Sequence, residues 1–168
     1  MVFKLLAALM FSTAGAIIGI SGSERLKQNR DICRAIGEML RVSAIMIRYR
    51  RMNVYDLVGE LKFSESLSQL AFLKNLPERY VQGENFHDLW QYHLQKQDDL
   101  QNEEKKLLSE FGRIIGASDS KGQLTSIEAL EAELQQLEKK RSECYLQKGR
   151  MYRSVGMLFG VMVGILVI

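Results

Sequence analysis

Apolar positions follow two regimes along the chain. Residues 5–23, LLAALMFSTAGAIIGISGS, and residues 154–168, SVGMLFGVMVGILVI, are predominantly apolar and carry no charge, whereas the stretch between them alternates apolar and polar positions at helical spacing. At 1.5 Å per residue the first run is about 28 Å long, close to a hydrocarbon core of roughly 30 Å, and it reads as a membrane-spanning helix. The second run is about 22 Å long, and it reaches across only with Met151, Tyr152 and a snorkelling Arg153. Its alternatives are a buried hairpin partner of the first helix or a core helix of a soluble fold.

The middle reads as a series of helices. From Glu24 to about Met52, Leu26, Ile32, Cys33, Ile36, Met39, Leu40, Ile45, Met46, Ile47 and Tyr49 recur every three to four residues, so the first apolar helix is expected to run straight on. Asn53, with Asp56 at the third helical position, predicts the start of a short helix reaching about Leu61. After a polar turn at 64–68, Leu67, Leu70, Leu73 and Leu76 predict another short helix that ends near Pro77. Gly83 and Asn85 precede a helix carrying Phe86, Leu89, Trp90 and Leu94, and Glu103 to Ile115 forms a further amphipathic helix that Gly116 is placed to stop.

Asp119 or Ser120 then caps a long final helix. Its seam of Ile127, Leu130, Leu134 and Leu137 continues in register through Arg141, Cys144, Lys148 and Met151 into Val155 and Leu158. With fewer than two clean heptads, that seam predicts one member of an antiparallel bundle rather than a free coiled coil. The expected fold is all-α: an antiparallel helical bundle over 24–150, flanked by an N-terminal transmembrane helix at 1–23 and a C-terminal one at 151–168.

Composition alone points elsewhere. With 46% hydrophobic and 26% charged residues in 168 and a mean hydropathy of -0.12, the average is that of a soluble domain. The distribution of charge changes that picture. Of 23 basic and 20 acidic residues, only Lys4 lies outside Glu24 to Arg153. Arg25, Lys27, Arg30 and Arg34 follow the first apolar run, and Lys139, Lys140, Arg141, Lys148, Arg150 and Arg153 precede the second. The positive-inside rule then puts the middle domain in the cytoplasm and both chain ends on the far side. The rival reading is a secretory signal ending in the small residues Ser21, Gly22 and Ser23, which leaves the second apolar end and its basic collar unexplained. Gly15 and Gly19, and the series Gly156, Gly160 and Gly164, recur every four residues and offer smooth faces on which the two spans can pack, on each other or on partner subunits.

Candidate chemistry is sparse. No phosphate-binding glycine motif occurs, no nucleophile elbow accompanies the serines, and no cofactor or small-molecule substrate is expected. His87 and His93 fall on different helix faces with no cysteine or carboxylate at zinc-site spacing, so no metal is expected either. Cys33 and Cys144 read as small buried hydrophobes. The net charge of +3 is too small for a nucleic-acid binder. Asp31, Arg34, Glu38 and Arg41 form a ladder able to pair within itself. Arg48, Arg50 and Arg51 differ, because no acidic residue occurs between Glu38 and Asp56. They must meet acidic groups elsewhere in the bundle, on a partner protein or at anionic lipid.

The order of these features resembles the stage III sporulation protein AB family, whose soluble region is similar to the helical cytoplasmic domain of type II secretion F proteins. The resemblance covers almost the whole chain. It rests on the apolar start running into a helix, on IMIRYRRMNVYDLVGEL at 45–61, GENFHDLW at 83–90, LLSEFGRIIGASDSKGQLTSI at 107–127 and YRSVGMLFGVMVGILVI at 152–168. Phe111, Gly112, Gly116, Asp119 and Gln123 stand where the family's FGxxLGxSDxxxQ-like signature puts them, and Trp90 fills the position of its tryptophan. One departure is the stretch Arg50, Arg51, Met52, Asn53 and Val54, which replaces a Thr-Pro-Leu-like turn and bears on where the second helix starts. Secretion F proteins also carry two such domains and more spans. The resemblance implies a non-enzymatic membrane component of the channel complex between mother cell and forespore, on the mother-cell side of the membrane around the forespore. Its implied partners are a secretion-type ATPase and other membrane subunits. A secreted helical binding protein or enzyme, and a membrane-tethered coiled-coil scaffold, are the readings from other classes.

Overall fold

Helix-forming sequence with one proline gives a chain in which every regular element among the described residues is helical. The computed structural model describes the backbone of residues 2–50, 52–80, 82–117 and 119–167, and their side chains except at 2–9, 11, 12, 15, 16, 153, 160, 161 and 163–167. The elements are α1 (Val2–Arg50), α2 (Val54–Lys62), two 3-10 turns (Glu65–Leu67 and Ala71–Asn75), α3 (Phe86–Gln95), α4 (Asn102–Ile114) and α5 (Ser120–Val167). No strand occurs among the described residues. They form two units: Met1–Arg30 with Lys139–Ile168, and Asp31–Glu138.

The unit 31–138 holds a conventional core. Ile32, Ile36, Met39 and Leu40 of α1, Leu57, Val58 and Leu61 of α2, and Leu107, Leu108 and Phe111 of α4 are buried together with Ile127, Leu130, Leu134 and Leu137 of α5. The α5 seam therefore closes a bundle, as its short apolar register implied. Despite the departure at 50–54, α2 starts where the local chemistry placed it. The Asn53 side chain accepts the Tyr55 and Asp56 N–H groups at 2.9 and 3.0 Å and donates to the Asp56 carboxylate at 2.7 Å.

The segment 64–77 corrects one expectation. Leu67, Leu70, Leu73 and Leu76 are all buried, but in 3-10 turns rather than one α-helix. Their spacing is strictly three. An α-helix would rotate each successive leucine by about 60° away from the core, whereas a 3-10 path keeps them in line. The backbone groups that this path leaves without helical partners are met by two side chains. Buried Gln97 accepts the Phe72 N–H at 3.1 Å and donates to the Gln69 carbonyl at 2.8 Å. Lys62 donates to the Leu76 carbonyl and, at 3.1 Å, to Glu78.

In the other unit, the first part of α1 packs antiparallel on the last part of α5 through small residues. Gly19, Ser23 and Gly149 are buried. A Cβ on Gly149 would lie 3.2 Å from the Ser23 hydroxyl, and one on Gly22 would lie 3.4 Å from the Tyr152 ring. The Arg30 guanidinium sits 4.5 Å above the Tyr145 ring. The predicted continuation of the heptad seam holds only as far as the half-buried Arg141 and Cys144. Lys148, Met151, Val155 and Leu158 are exposed, while Tyr145, Gly149 and Gly156 turn inward. Each seven-residue step of a straight α-helix falls about 20° short of the same direction, and full alignment recurs only after about 18 residues, so the inward line from Ile127 passes to Tyr145 and drifts off the strict seven-residue register. Among the described residues no helix is long and apolar enough to cross a membrane. Much of the two expected spans falls on side chains outside that description.

Candidate functional site

Two of the signature residues, Phe111 and Gly112, meet Trp90, which lies on α3, the helix that Asn85 starts by accepting the His87 N–H at 3.0 Å. Trp90 is fully buried. Phe72 meets it edge-on at 5.0 Å between centroids, and Phe111 and Phe86 flank it at 5.6 and 5.9 Å. Tyr55 continues the aromatic run from Phe86, at 5.6 Å. The indole N–H donates to the Leu108 carbonyl at 2.8 Å, so the one polar atom of the ring is satisfied inside the core.

Gly112 explains itself at this contact. A Cβ there would lie 2.3 Å from Cδ1 of Trp90, so only glycine lets the indole lie on the α4 backbone. After α4, Gly116 takes φ +82°, the left-handed conformation that stops a helix. The Ile115 N–H closes onto the Phe111 carbonyl at 3.1 Å and the Ala117 N–H onto Ile114 at 3.2 Å. Asp119 then caps α5: its carboxylate accepts the Gly122 N–H at 3.3 Å and its carbonyl the Gln123 N–H at 3.0 Å. Gln123 is half-buried in that first turn. Phe111, Gly112, Gly116, Asp119, Gln123 and Trp90 thus set how α4 turns into α5 and what α3 packs on.

The arginines find acidic groups within their own unit. Arg48 lies 3.6 Å from Glu128 and Arg50 lies 3.4 Å from Glu60, in exposed pairs; Arg51 lies outside the described residues. The scarcity of nearby acidic sequence is answered by the fold, which brings α5 and α2 alongside. In the ladder, Arg41 pairs with Glu38, but Arg34 reaches Glu138 on α5 at 3.4 Å instead of a neighbour on its own helix. Of the packing glycines, Gly19 is buried and Gly156 half-buried, while the packing of Gly15, Gly160 and Gly164 lies outside the described residues.

Three polar positions of structural weight escaped the sequence reading. Gln97 and Lys62 have no periodic signature. Glu104 had one, because it shares the apolar face of α4 with Leu107, Leu108 and Phe111 at helical spacing, and it is 1% exposed, accepting the Cys33 thiol at 3.6 Å. Cys144 is half-exposed, and both cysteines are free thiols. His87 approaches the Gly112 carbonyl at 3.5 Å, and His93 meets the Tyr92 ring, so the two histidines face different neighbours. Among the described residues no three His, Cys, Asp or Glu side chains are grouped to hold a metal ion.

The class that this architecture defines is an all-α protein in which the most distinctive residues form a packing and turning device. The chain matches the stage III sporulation protein AB family over residues 4–168 and belongs to it, which makes it a protein of sporulation stage III. No curated protein and no solved structure matches the chain.

Proposed function

We propose that the chain is a non-enzymatic membrane component of the channel complex between mother cell and forespore, holding a secretion-type ATPase against the membrane machinery. The observation that carries the membrane part is the outward face of the unit 1–30 and 139–168. Ile17, Ile18, Ile20, Met157, Leu158, Phe159 and Met162 are each more than half exposed. In water such a surface costs roughly 25 cal/mol per Å² left uncovered, whereas in lipid it is the solvated state. The basic residues that border these runs favour a cytoplasmic middle with both ends across the membrane.

The ATPase contact comes from the family resemblance. Arg48 and Arg50 suit it, because exposed ion pairs such as theirs are worth about 0–1 kcal/mol and exchange readily for a partner's carboxylates. Single cysteines introduced near residues 2, 80 and 167 test the topology by thiol labelling in intact and opened non-sporulating cells that express the chain, where the far side of the membrane is the cell exterior. The middle label is expected to react only after opening, and the two end labels from outside. Labelling of all three from one side removes the two-span reading, and a mature N-terminus after Ser23 replaces it with secretion. Charge reversal of Arg48, Arg50 and Arg51 is expected to abolish copurification with the ATPase while helicity is unchanged; undiminished copurification removes those residues from the contact.

A further inference from the structure

The unit formed by 1–30 and 139–168 carries a groove of about 490 Å³ lined by Ile17, Ile18, Ser21, Gly22, Arg25, Leu26 and Tyr152, within the roughly 300–1,000 Å³ of ligand sites. Gly22 opens it, since the missing side chain leaves the Tyr152 ring as the facing wall. Its chemistry is polarised along α1. Ile17 and Ile18, 62% and 72% exposed, lie at one end, and Arg25 lies seven residues beyond Ile18, about 10 Å along the helix. Among the described residues no acidic side chain lies within ion-pair distance of Arg25, and the nearby Glu24 is turned to Lys27 at 3.9 Å. The surrounding cations reinforce the sign: residues 24–30 and 139–153 contain only Glu24 and Glu143 as acids, against basic groups that include Lys27, Lys148 and Arg150.

An apolar channel with an uncompensated cation at one end is complementary to an anionic amphiphile. Resting on the membrane reading above, we infer that the groove holds one anionic phospholipid, with its phosphate on the Arg25 guanidinium and an acyl chain along Ile17 and Ile18. The guanidinium can hold two phosphate oxygens at once. Tyr152 sits at the level where an amphipathic ring meets headgroups. A soluble anion would use Arg25 but gain nothing from the isoleucines, and a neutral apolar ligand would leave the cation unused.

The full chain, reconstituted in vesicles of equal phosphatidylcholine and phosphatidylglycerol, tests this with spin-labelled versions of each lipid. The expected result is a motionally restricted population enriched in phosphatidylglycerol. Arg25→Gln lowers that enrichment roughly fivefold, the effect of one cation at an anionic surface, and Arg25→Lys retains most of it. Gly22→Leu fills the groove and abolishes the enrichment with Arg25 still present. Equal restriction of the two lipids overturns the inference, as does an unchanged Arg25→Gln variant. Displacement of labelled phosphatidylglycerol by millimolar inorganic phosphate also overturns it, because the site is then an anion site without the chain. Flotation of the same samples separates the two levels. A chain that floats with vesicles but shows no lipid preference defeats only this inference, and a chain that does not float defeats the membrane reading with it.

Discussion

The two units bury opposite kinds of side chain. In 31–138 the fully buried positions include Trp90, Phe72, Phe111 and a set of leucines and isoleucines. Among the described side chains of 1–30 with 139–168 the buried positions are Gly19, Ser23 and Gly149, while Ile17, Ile18, Ile20, Met157, Phe159 and Met162 point outward. The first pattern is what water imposes, since removing large apolar side chains from it is the main driving force of folding. The second is the pattern that suits lipid, where apolar surface needs no burial and close approach of small-residue faces supplies the packing. One pair of helices, α1 and α5, follows both rules at different points along its length.

The sharpest way to break this contrast is to remove the centre of the first pattern. Trp90→Ala in the full chain is expected to destabilise the unit 31–138 by about 3–5 kcal/mol, read from urea unfolding followed by circular dichroism. A loss below about 1 kcal/mol would mean that the aromatic cluster is not what holds that unit together. Gly112→Ala comes next, at about 1–3 kcal/mol, because a methyl group placed 2.3 Å from the indole must displace it. Trp90 is the only tryptophan, so its emission should move to the red in this variant, and unchanged emission with unchanged stability would contradict the packing role.

Gly149→Leu carries the test to the small-residue face. Its Cβ would meet the Ser23 hydroxyl at 3.2 Å and Tyr145 at 3.3 Å. Amide exchange at 19–30 and 141–156 is expected to speed up, with the stability around Trp90 altered by less than about 0.5 kcal/mol, as for independent sites. A loss around Trp90 as large as that from Gly112→Ala would erase the distinction between the units. The smallest effect belongs to the exposed pairs: Arg48→Ala or Glu128→Ala should cost no more than about 0.5 kcal/mol, and a double-mutant cycle measures the coupling directly.

Features encoded by consecutive residues are legible in the sequence. The Asn53 cap with Asp56, the left-handed stop at Gly116 and the cap at Asp119 each satisfy helix-end N–H or C=O groups from within four residues, so the chemistry is complete in the local sequence. The seam from Ile127 to Leu137 is legible as well, because its period is its cause. Features whose partners lie far apart in the chain are not. The 3-10 path of 64–77 is held by Gln97, which lies 25 and 28 residues from the backbone groups it meets. Arg48 seemed short of acidic partners only because Glu128 is remote in sequence.

The sequence by itself determined that this protein is all-helical, where most of its helices begin and end, and that all its charges but Lys4 are confined between two apolar ends. Backbone capping, helical periodicity and charge placement act over a few residues and need no knowledge of the fold. Only the tertiary structure decided that Gly112 exists to receive Trp90, that Glu104 is buried beside Cys33, and that the face of α5 turns from leucines to Gly149. Those outcomes depend on which surfaces meet, and that is set by close packing between residues far apart in the chain, as Ser23 and Gly149 are.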